Sequence, residues 1–294
     1  MARGADDDAT LRRALHGVRA LLLDLDGVIV VAGAPVPGSP EAIGRLERRG
    51  TPYRIVTNTS MVSRQTLSDW SARLGARVPA ERFDSALSVS AAWTAERFPG
   101  EPLYVLASDD ARREFAGQRL LTHEEASAPE ARAAAVVIGD SPEDATWENL
   151  NRAFRLVRNG ARLVGMHKNR WWLTPDGPTL DSGAFVAGLE FAATVKAQIV
   201  GKPSAAFFRV AFDDLAAEMR RRGERTLRRS EVAMVGDDLW TDALAAKKAG
   251  MRGFLVLSGK HGAAELDRAA AQGRGGGVPD GVAPSLRDVV AALD

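Results

Sequence analysis

Four short stretches carry side chains able to do chemistry, and each follows an apolar run. Asp24 and Asp26 stand one residue apart in Asp24-Leu25-Asp26-Gly27, directly after Val18–Leu23. Two carboxylates at that spacing point to different places, so one can attack while the other manages a proton. Gly27 lets the backbone turn tightly and bring amides close to an anion. An Asx-type turn at a strand end is the plain structural alternative. Asp237, Asp238 and Asp242 form a second acidic cluster in Gly236-Asp237-Asp238-Leu239-Trp240-Thr241-Asp242. An all-oxygen set without His or Cys suits a hard cation such as Mg²⁺. Helix capping accounts well for one of these residues and poorly for three. Thr57-Asn58-Thr59-Ser60 offers hydroxyls, an amide and loop N–H groups near a helix start, where a phosphate binds but an ordinary cap also forms. Lys202, between Gly201 and Pro203, could balance the charge of Asp24, Asp237 and a phosphate; a surface lysine is the commoner fate.

The elements that must position these residues follow from the apolar pattern. Val18–Leu23 is a continuous run without alternation, which suits a parallel strand buried on both faces. Helical spacing over Pro40–Arg49 ends at Gly50; Tyr53–Val56 reads as a strand and Ser63–Leu74 as a helix. The rhythm restarts with strands at Leu103–Ala107, Ala133–Ile138 and Arg162–Met166, and with helices at Asp110–Ala116, Trp147–Arg158 and Phe185–Thr194. Gln198–Val200 leads into Gly201-Lys202-Pro203. The last third returns with helix Ser204–Arg221, strand Val232–Val235, helix Ala243–Ala249, strand Gly253–Val256, a flexible loop at Gly273–Gly277 and a final helix at Pro284–Leu293. Repeated βαβ units of this kind build a doubly wound α/β parallel sheet, whose carboxyl edge is where ligands bind. If one sheet holds the four motifs, Asp24, Thr57, Lys202 and Asp237 meet in one cleft, and the middle block is an insertion.

Composition narrows the class of function. The 294 residues suffice for two domains, and an apolar share of 45% supplies a sizeable core. With 39 basic and 38 acidic residues the net charge is +1, which argues against a nucleic-acid clamp. The basic runs Arg220–Arg222 and Arg225 with Arg228–Arg229 read as a solvated surface. No cysteine is present, so disulfides, thiolate metal sites and a cysteine nucleophile are excluded. A polar start with Asp6, Asp7 and Asp8, and no apolar stretch of membrane-spanning length, give a cytoplasmic protein without membrane contact as the expectation.

Taken in order, hydrophobic-DxDGV, hydrophobic-TN-T/S, GKP and hydrophobic-GDD-x₃-D resemble the haloacid dehalogenase superfamily. The insertion between the second and third motifs resembles the α/β cap of its NagD-like, para-nitrophenylphosphatase branch. His167-Lys168-Asn169-Arg170-Trp171-Trp172, Gly188-Leu189-Glu190-Phe191, Ala249-Gly250-Met251 and Gly259-Lys260 carry that likeness. The resemblance implies a core in residues 1–85 and 196–294 with a smaller cap in 86–195. It implies an aspartyl-phosphate mechanism in which Asp24 attacks phosphorus and Asp26 serves as general acid and base. Mg²⁺ would rest on the Asp24 carboxylate, the Asp26 carbonyl and Asp237, supported by Asp238 and Asp242. Thr57, Asn58, Thr59 and Lys202 would hold the phosphoryl group. In the cap, His167, Lys168, Arg170 and Trp171 are the expected contacts to a small phosphorylated substrate, with Trp171-Trp172 where the branch has a pair of tyrosines. A homodimer through the cap is a further expectation. The substrate stays open among phosphate monoesters, phosphoramidates and pyrophosphate. A catalytically silent binding protein of the same fold is the competing reading, disfavoured by the presence of Asp24, Asp26 and Asp237.

Overall fold

The computed structural model describes residues 5–174, 177–271 and 277–293; Gly273–Gly276 of the glycine-rich stretch lie outside them. In chain order the principal strands are β1 (Ala20–Asp24), β2 (Tyr53–Thr57) and β3 (Phe83–Ser85), then β4 (Leu103–Leu106), β5 (Ala135–Ile138) and β6 (Arg162–Gly165). They continue with β7 (Trp171–Thr174), β8 (Gly177–Leu180), β9 (Gln198–Ile199), β10 (Val232–Gly236), β11 (Arg252–Val256) and β12 (Gly281–Ala283).

Two compact units result. One comprises Met1–Thr57, Ser68–Phe83 and Lys202–Asp294, the other Asn58–Leu67 and Asp84–Gly201. The sequence places the limits of the insertion at 86 and 195 and does not give it residues 58–67. Those residues side with the second unit because Ser60 Oγ donates to Asp140 Oδ2 at 2.6 Å, Ser63 N to Asp110 Oδ2 at 2.8 Å and Arg64 N to Glu114 Oε1 at 2.7 Å. Residues 196–201 do so because β9 pairs with β6.

The first unit is built on a six-stranded sheet in the order β12-β11-β10-β1-β2-β3. β1 runs parallel to both β10 and β2, and β10, β11 and β12 continue the parallel pairing. All five residues of β1, β2 and β10 are buried, so β1 and β10 read as near-continuous apolar runs, and β2 is broken only by Arg54, which pairs with Asp214 Oδ2 at 3.0 Å. Each fully buried leucine in β1 stabilises the unit by roughly 1.5–3 kcal/mol. Helix Ser39–Arg49 buries Ala42, Ile43 and Leu46 and stops at Gly50, whose φ of 66° is left-handed. The last helix, Leu286–Ala292, packs against that helix and against Ala5–Leu15. Register then fixes the site: Leu23 lies beside Val235, and Asp24 beside Val56. The basic run near residue 225 is occupied internally, Arg225 and Arg228 both reaching Glu231 Oε1, at 2.6 and 2.9 Å.

The second unit has a four-stranded parallel sheet, β9-β6-β5-β4, and the antiparallel hairpin β7-β8. Helices Trp147–Arg158 and Ser182–Ala193 cover the sheet, closing a core that includes Leu106, Val136, Ile138, Leu156, Val186 and Leu189. Thr146 and Asp181 cap the two helices through the N–H groups of Asn149 and Ser182. Among the described residues no helix is long and apolar enough to cross a membrane.

Candidate active site

Asp24 is the last residue of β1 and is only 6% exposed. Its Oδ1 accepts from the Leu25 N–H at 2.8 Å and from Lys202 Nζ at 2.7 Å. Lys202, buried itself, also reaches Asp242 Oδ1 at 2.8 Å and the Val56 carbonyl at 3.4 Å. One ammonium thus joins the ends of β1 and β2 to the segment after β10. Asp237 follows β10 directly, and carboxylate oxygens of Asp24, Asp237 and Asp242 lie within 4.8 Å of one another. Asp26, two residues past Asp24, is exposed, on a turn where the Gly27 N–H donates to the Val30 carbonyl at 2.6 Å.

Close packing of backbone against Asp237 explains two glycines. Gly27 has φ +73°, and a Cβ there would fall 1.9 Å from Asp237 Oδ2. A Cβ on Gly259 would fall 2.1 Å from the same oxygen. Any side chain at either position would displace the carboxylate.

Electrostatics follows from burying several acids around one lysine. Burial pushes Asp24 up to about 6 despite Lys202, and Asp237 and Asp26 add to the rise. Burial likewise raises Asp237 to about 6 and Asp242 to about 8. Burial opposes the charge on Lys202, yet Asp24 and Asp242 hold its pKa above the ordinary lysine value. A charged ammonium 2.8 Å from Asp242 Oδ1 requires an ionised partner, so the ion pair outweighs the upward push on that one acid. Burial is the main cause of the rise in all three carboxyls, and neighbouring carboxylates add to it.

The sequence-derived residues divide between the units. Asp24, Asp26, Thr57, Lys202, Asp237, Asp238 and Asp242 belong to the first, with Thr57 fully buried at the end of β2. Asn58 and Thr59 follow Thr57 directly but fall in the second unit. Asp238 serves as a cap: its Oδ1 accepts from Trp240 N at 2.8 Å and Thr241 N at 3.0 Å. In the second unit His167 is 1% exposed and faces Asp140 at 2.7 Å, whereas Lys168 and Arg170 are exposed and Lys168 pairs with Glu190 at 2.6 Å. Trp171 and Trp172 are 60% and 44% exposed, so neither indole is packed away.

Sequence reasoning used Gly259-Lys260 only for the family likeness and gave the segment Ser258–His261 no place in the site. Ser258 Oγ donates to the Gly27 carbonyl at 2.6 Å, Lys260 N donates to Asp237 Oδ2 at 2.7 Å, and Lys260 Nζ meets Asp238 Oδ2 at 2.7 Å. His261 Nδ1 accepts from Leu239 N at 2.9 Å. The available signal was its place just beyond β11, at the same carboxyl edge as the four motifs.

A profile of haloacid dehalogenase-like hydrolases matches residues 21–120, and a HAD-hydrolase-like profile matches residues 199–289. The chain is 37% identical over 257 residues to haloacid dehalogenase-like hydrolase domain-containing protein 2 of Bos taurus, covering 87% of this chain and 90% of that one. It is 32% identical over 253 residues to the phospholysine phosphohistidine inorganic pyrophosphate phosphatase of Xenopus laevis, covering 84% and 86%. The chain therefore belongs to the haloacid dehalogenase-like hydrolase family, and its enzyme class is a phosphatase. Its fold is that of the p-nitrophenylphosphatases: the enzyme from Archaeoglobus fulgidus superposes with a TM-score of 0.81 at 27% identity, over 94% of this chain and 99% of that one.

Proposed function

We propose that the protein hydrolyses small phosphorylated metabolites through an aspartyl-phosphate on Asp24, in a Mg²⁺-dependent reaction. The observation that carries this reading is the buried ammonium of Lys202 gripping Oδ1 of Asp24 beside Asp237 and Asp242. Both described contacts of Asp24 fall on Oδ1, so Oδ2 is the oxygen assigned to attack. Its bond to phosphorus forms as the bond to the leaving oxygen breaks, and Asp26 gives that oxygen a proton. The Asp26 carboxylate then takes a proton from a water that attacks phosphorus, and the Asp24–phosphorus bond breaks to release phosphate. Lys202 and Thr57 hold the phosphoryl oxygens, supplying the charge and positioning that phosphoryl transfer requires.

Asp24, Asp237 and Asp242 offer only carboxylate oxygens, a donor set that fits Mg²⁺. When bound, Mg²⁺ would neutralise charge that develops on the transferring phosphoryl group. For Asn58 and Thr59 the phosphate role rests on the family resemblance alone, as does substrate selection by Lys168, Arg170 and Trp171. His167 leaves that group, because its imidazole is buried against Asp140. A cap-mediated homodimer belongs to the same reading; a monomeric mass by light scattering at micromolar concentration removes it.

The decisive measurement is phosphate release from pyrophosphate, phospholysine, phosphohistidine, sugar phosphates and glycerol phosphates, with Mg²⁺ or with EDTA. Turnover with Mg²⁺, none with EDTA and none in Asp24→Asn is the expected result. Full activity in Asp24→Asn refutes the nucleophile. Phosphate binding without turnover of any compound would favour a silent binding protein.

A further inference from the structure

Lys260 has no role in the reading above, yet it contacts both members of the Asp237-Asp238 pair. Its backbone N–H holds Asp237 Oδ2, and its ammonium holds Asp238 Oδ2, both at 2.7 Å. The other oxygen of Asp238 caps the following helical turn and lies 3.7 Å from His261 Nδ1. Asp238 is therefore committed on both oxygens, although it stands beside the acidic centre. The segment has no slack: Gly259 admits no side chain against Asp237, and Ser258 is tied to the carbonyl of Gly27.

We propose that Lys260 is a positioning residue that sets the cation affinity of the acidic centre, a reading that rests on the cation site assigned above. Its N–H orients Asp237, while its ammonium ties Asp238 into the cap and adds positive charge beside the site. Counting charges makes the second effect concrete. Asp24, Asp26, Asp237, Asp238 and Asp242 give −5, and Lys202 with Lys260 return +2, leaving −3. Removing the Lys260 charge makes that −4. A divalent ion is then attracted more strongly, and Asp238 is freed from its partner. Burial works against the charge on Lys260, and Asp238, with Asp237 and Asp242, raises its pKa above the ordinary lysine value. Lys260 tunes the site downward, holding the cation loosely enough to exchange.

The test measures binding of Mn²⁺, the probe, to the full chain by titration calorimetry and by electron paramagnetic resonance. Lys260→Gln keeps the backbone N–H and removes only the charge. It should bind Mn²⁺ about five- to tenfold more tightly, with a larger gain at low salt. Lys260→Arg should restore wild-type affinity within twofold. A merely structural lysine predicts the opposite, because loosening the segment weakens binding or leaves it unchanged. Unchanged or weaker Mn²⁺ binding by a folded Lys260→Gln overturns the inference, as does failure of Lys260→Arg to rescue. Asp237→Asn separates the two levels of the argument. If wild type and Asp237→Asn bind Mn²⁺ alike, the cation site itself is wrong; if they differ while Lys260→Gln equals wild type, only the role of Lys260 falls.

Discussion

Each unit gathers acids at the carboxyl edge of a parallel sheet, and the two clusters differ in what answers the charge. In the first, Asp24, Asp237 and Asp242 surround Lys202, a group that stays cationic across the physiological range. In the second, Asp140 follows β5, His167 follows β6 and Asp181 caps helix Ser182–Ala193. There the Asp140 carboxylate is saturated. Oδ2 accepts from Ser60 Oγ at 2.6 Å and faces His167 Nε2 at 2.7 Å, and Oδ1 accepts from Ser182 N at 3.1 Å. His167 Nδ1 lies 3.3 Å from Asn169 N, which leaves Nε2 turned toward Asp140. Geometry alone marks both trios as able to surround an ion, but the hydrogen bonds separate them. The second spends its oxygens on holding the loop of Ser60, two strand ends and a helix start together. The first holds Asp24 by one oxygen and leaves surplus charge. On the function proposed above, uncommitted valence rather than proximity is what distinguishes the reactive cluster from the structural one.

The largest effect tests that distinction directly. Asp24→Asn should lower turnover by about 10⁴-fold or more, the scale seen when a covalent nucleophile is removed. Asp140→Asn should leave kcat within about twofold and lower the melting temperature, because it weakens a structural knot. Steady-state kinetics and thermal melts on both variants check this. The reverse pattern would mean that the clusters have been assigned the wrong way round.

Removing the counter-charges sharpens the same contrast in stability. Lys202→Met leaves Asp24 and Asp242 buried without their cation and should cost about 3–5 kcal/mol. His167→Gln retains a polar side chain beside Asp140 and should cost about 1–3 kcal/mol. Urea unfolding at pH 7 gives both numbers. Equal costs would show that the lysine is no more than a hydrogen-bond donor. Added cation should act on one cluster only. At about a hundredfold over its dissociation constant, Mg²⁺ should stabilise the protein by roughly 2.7 kcal/mol. The shift should vanish in Asp237→Asn and persist in Asp140→Asn, as differential scanning fluorimetry would report.

Much of the first cluster was legible because β1, β2 and β10 are buried on both faces. Their apolar runs, broken only by Arg54 in β2, end where the polar motifs begin, so the strand-edge placement of Asp24, Thr57 and Asp237 could be read directly. Lys260 could not be paired with Asp237 in this way, since 23 residues separate them and only the adjacency of β10 and β11 brings them together. The knot at Asp140 was hidden for the same reason, with His167 27 residues further on and Ser60 80 residues before. Helix Ala86–Arg97 escaped because apolar residues lie all round it. Ala86, Leu87, Val89, Ala91 and Trp93 are buried together with Ser90 and Thr94, which leaves no polar stripe to reveal the period. The antiparallel hairpin β7-β8 was unread because its Trp171 and Leu180, paired across the strands, are both exposed and give no alternation.

The smallest expected effect concerns Asp181, and its sign follows from linkage. Burial, helped by the neighbouring Asp140, raises the Asp181 carboxyl from an ordinary value near 3.8 to about 7, against the pull of His167. Between about pH 4 and pH 7 the folded chain therefore binds a proton that the unfolded chain has lost. Stability from this group is full below the unfolded value and declines as pH rises through the folded one. His167 acts in the same direction. Burial opposes its charge, but Asp140 and Asp181 raise its pKa, so its contribution is also lost as pH rises. Asp140 is held well below the usual carboxylate range by His167 and Ser60 despite its burial, and it stays ionised throughout this window. Asn at position 181 imitates the protonated acid at every pH. Asp181→Asn should accordingly exceed wild type by more at pH 8 than at pH 5, by roughly 2–4 °C in melting temperature for each kcal/mol recovered. The melts belong in EDTA, so that cation binding at the first cluster does not enter the comparison. A difference that is the same at pH 5 and pH 8 would mean that Asp181 takes up no proton on folding, and the second cluster would then be held by His167 and the two serines alone.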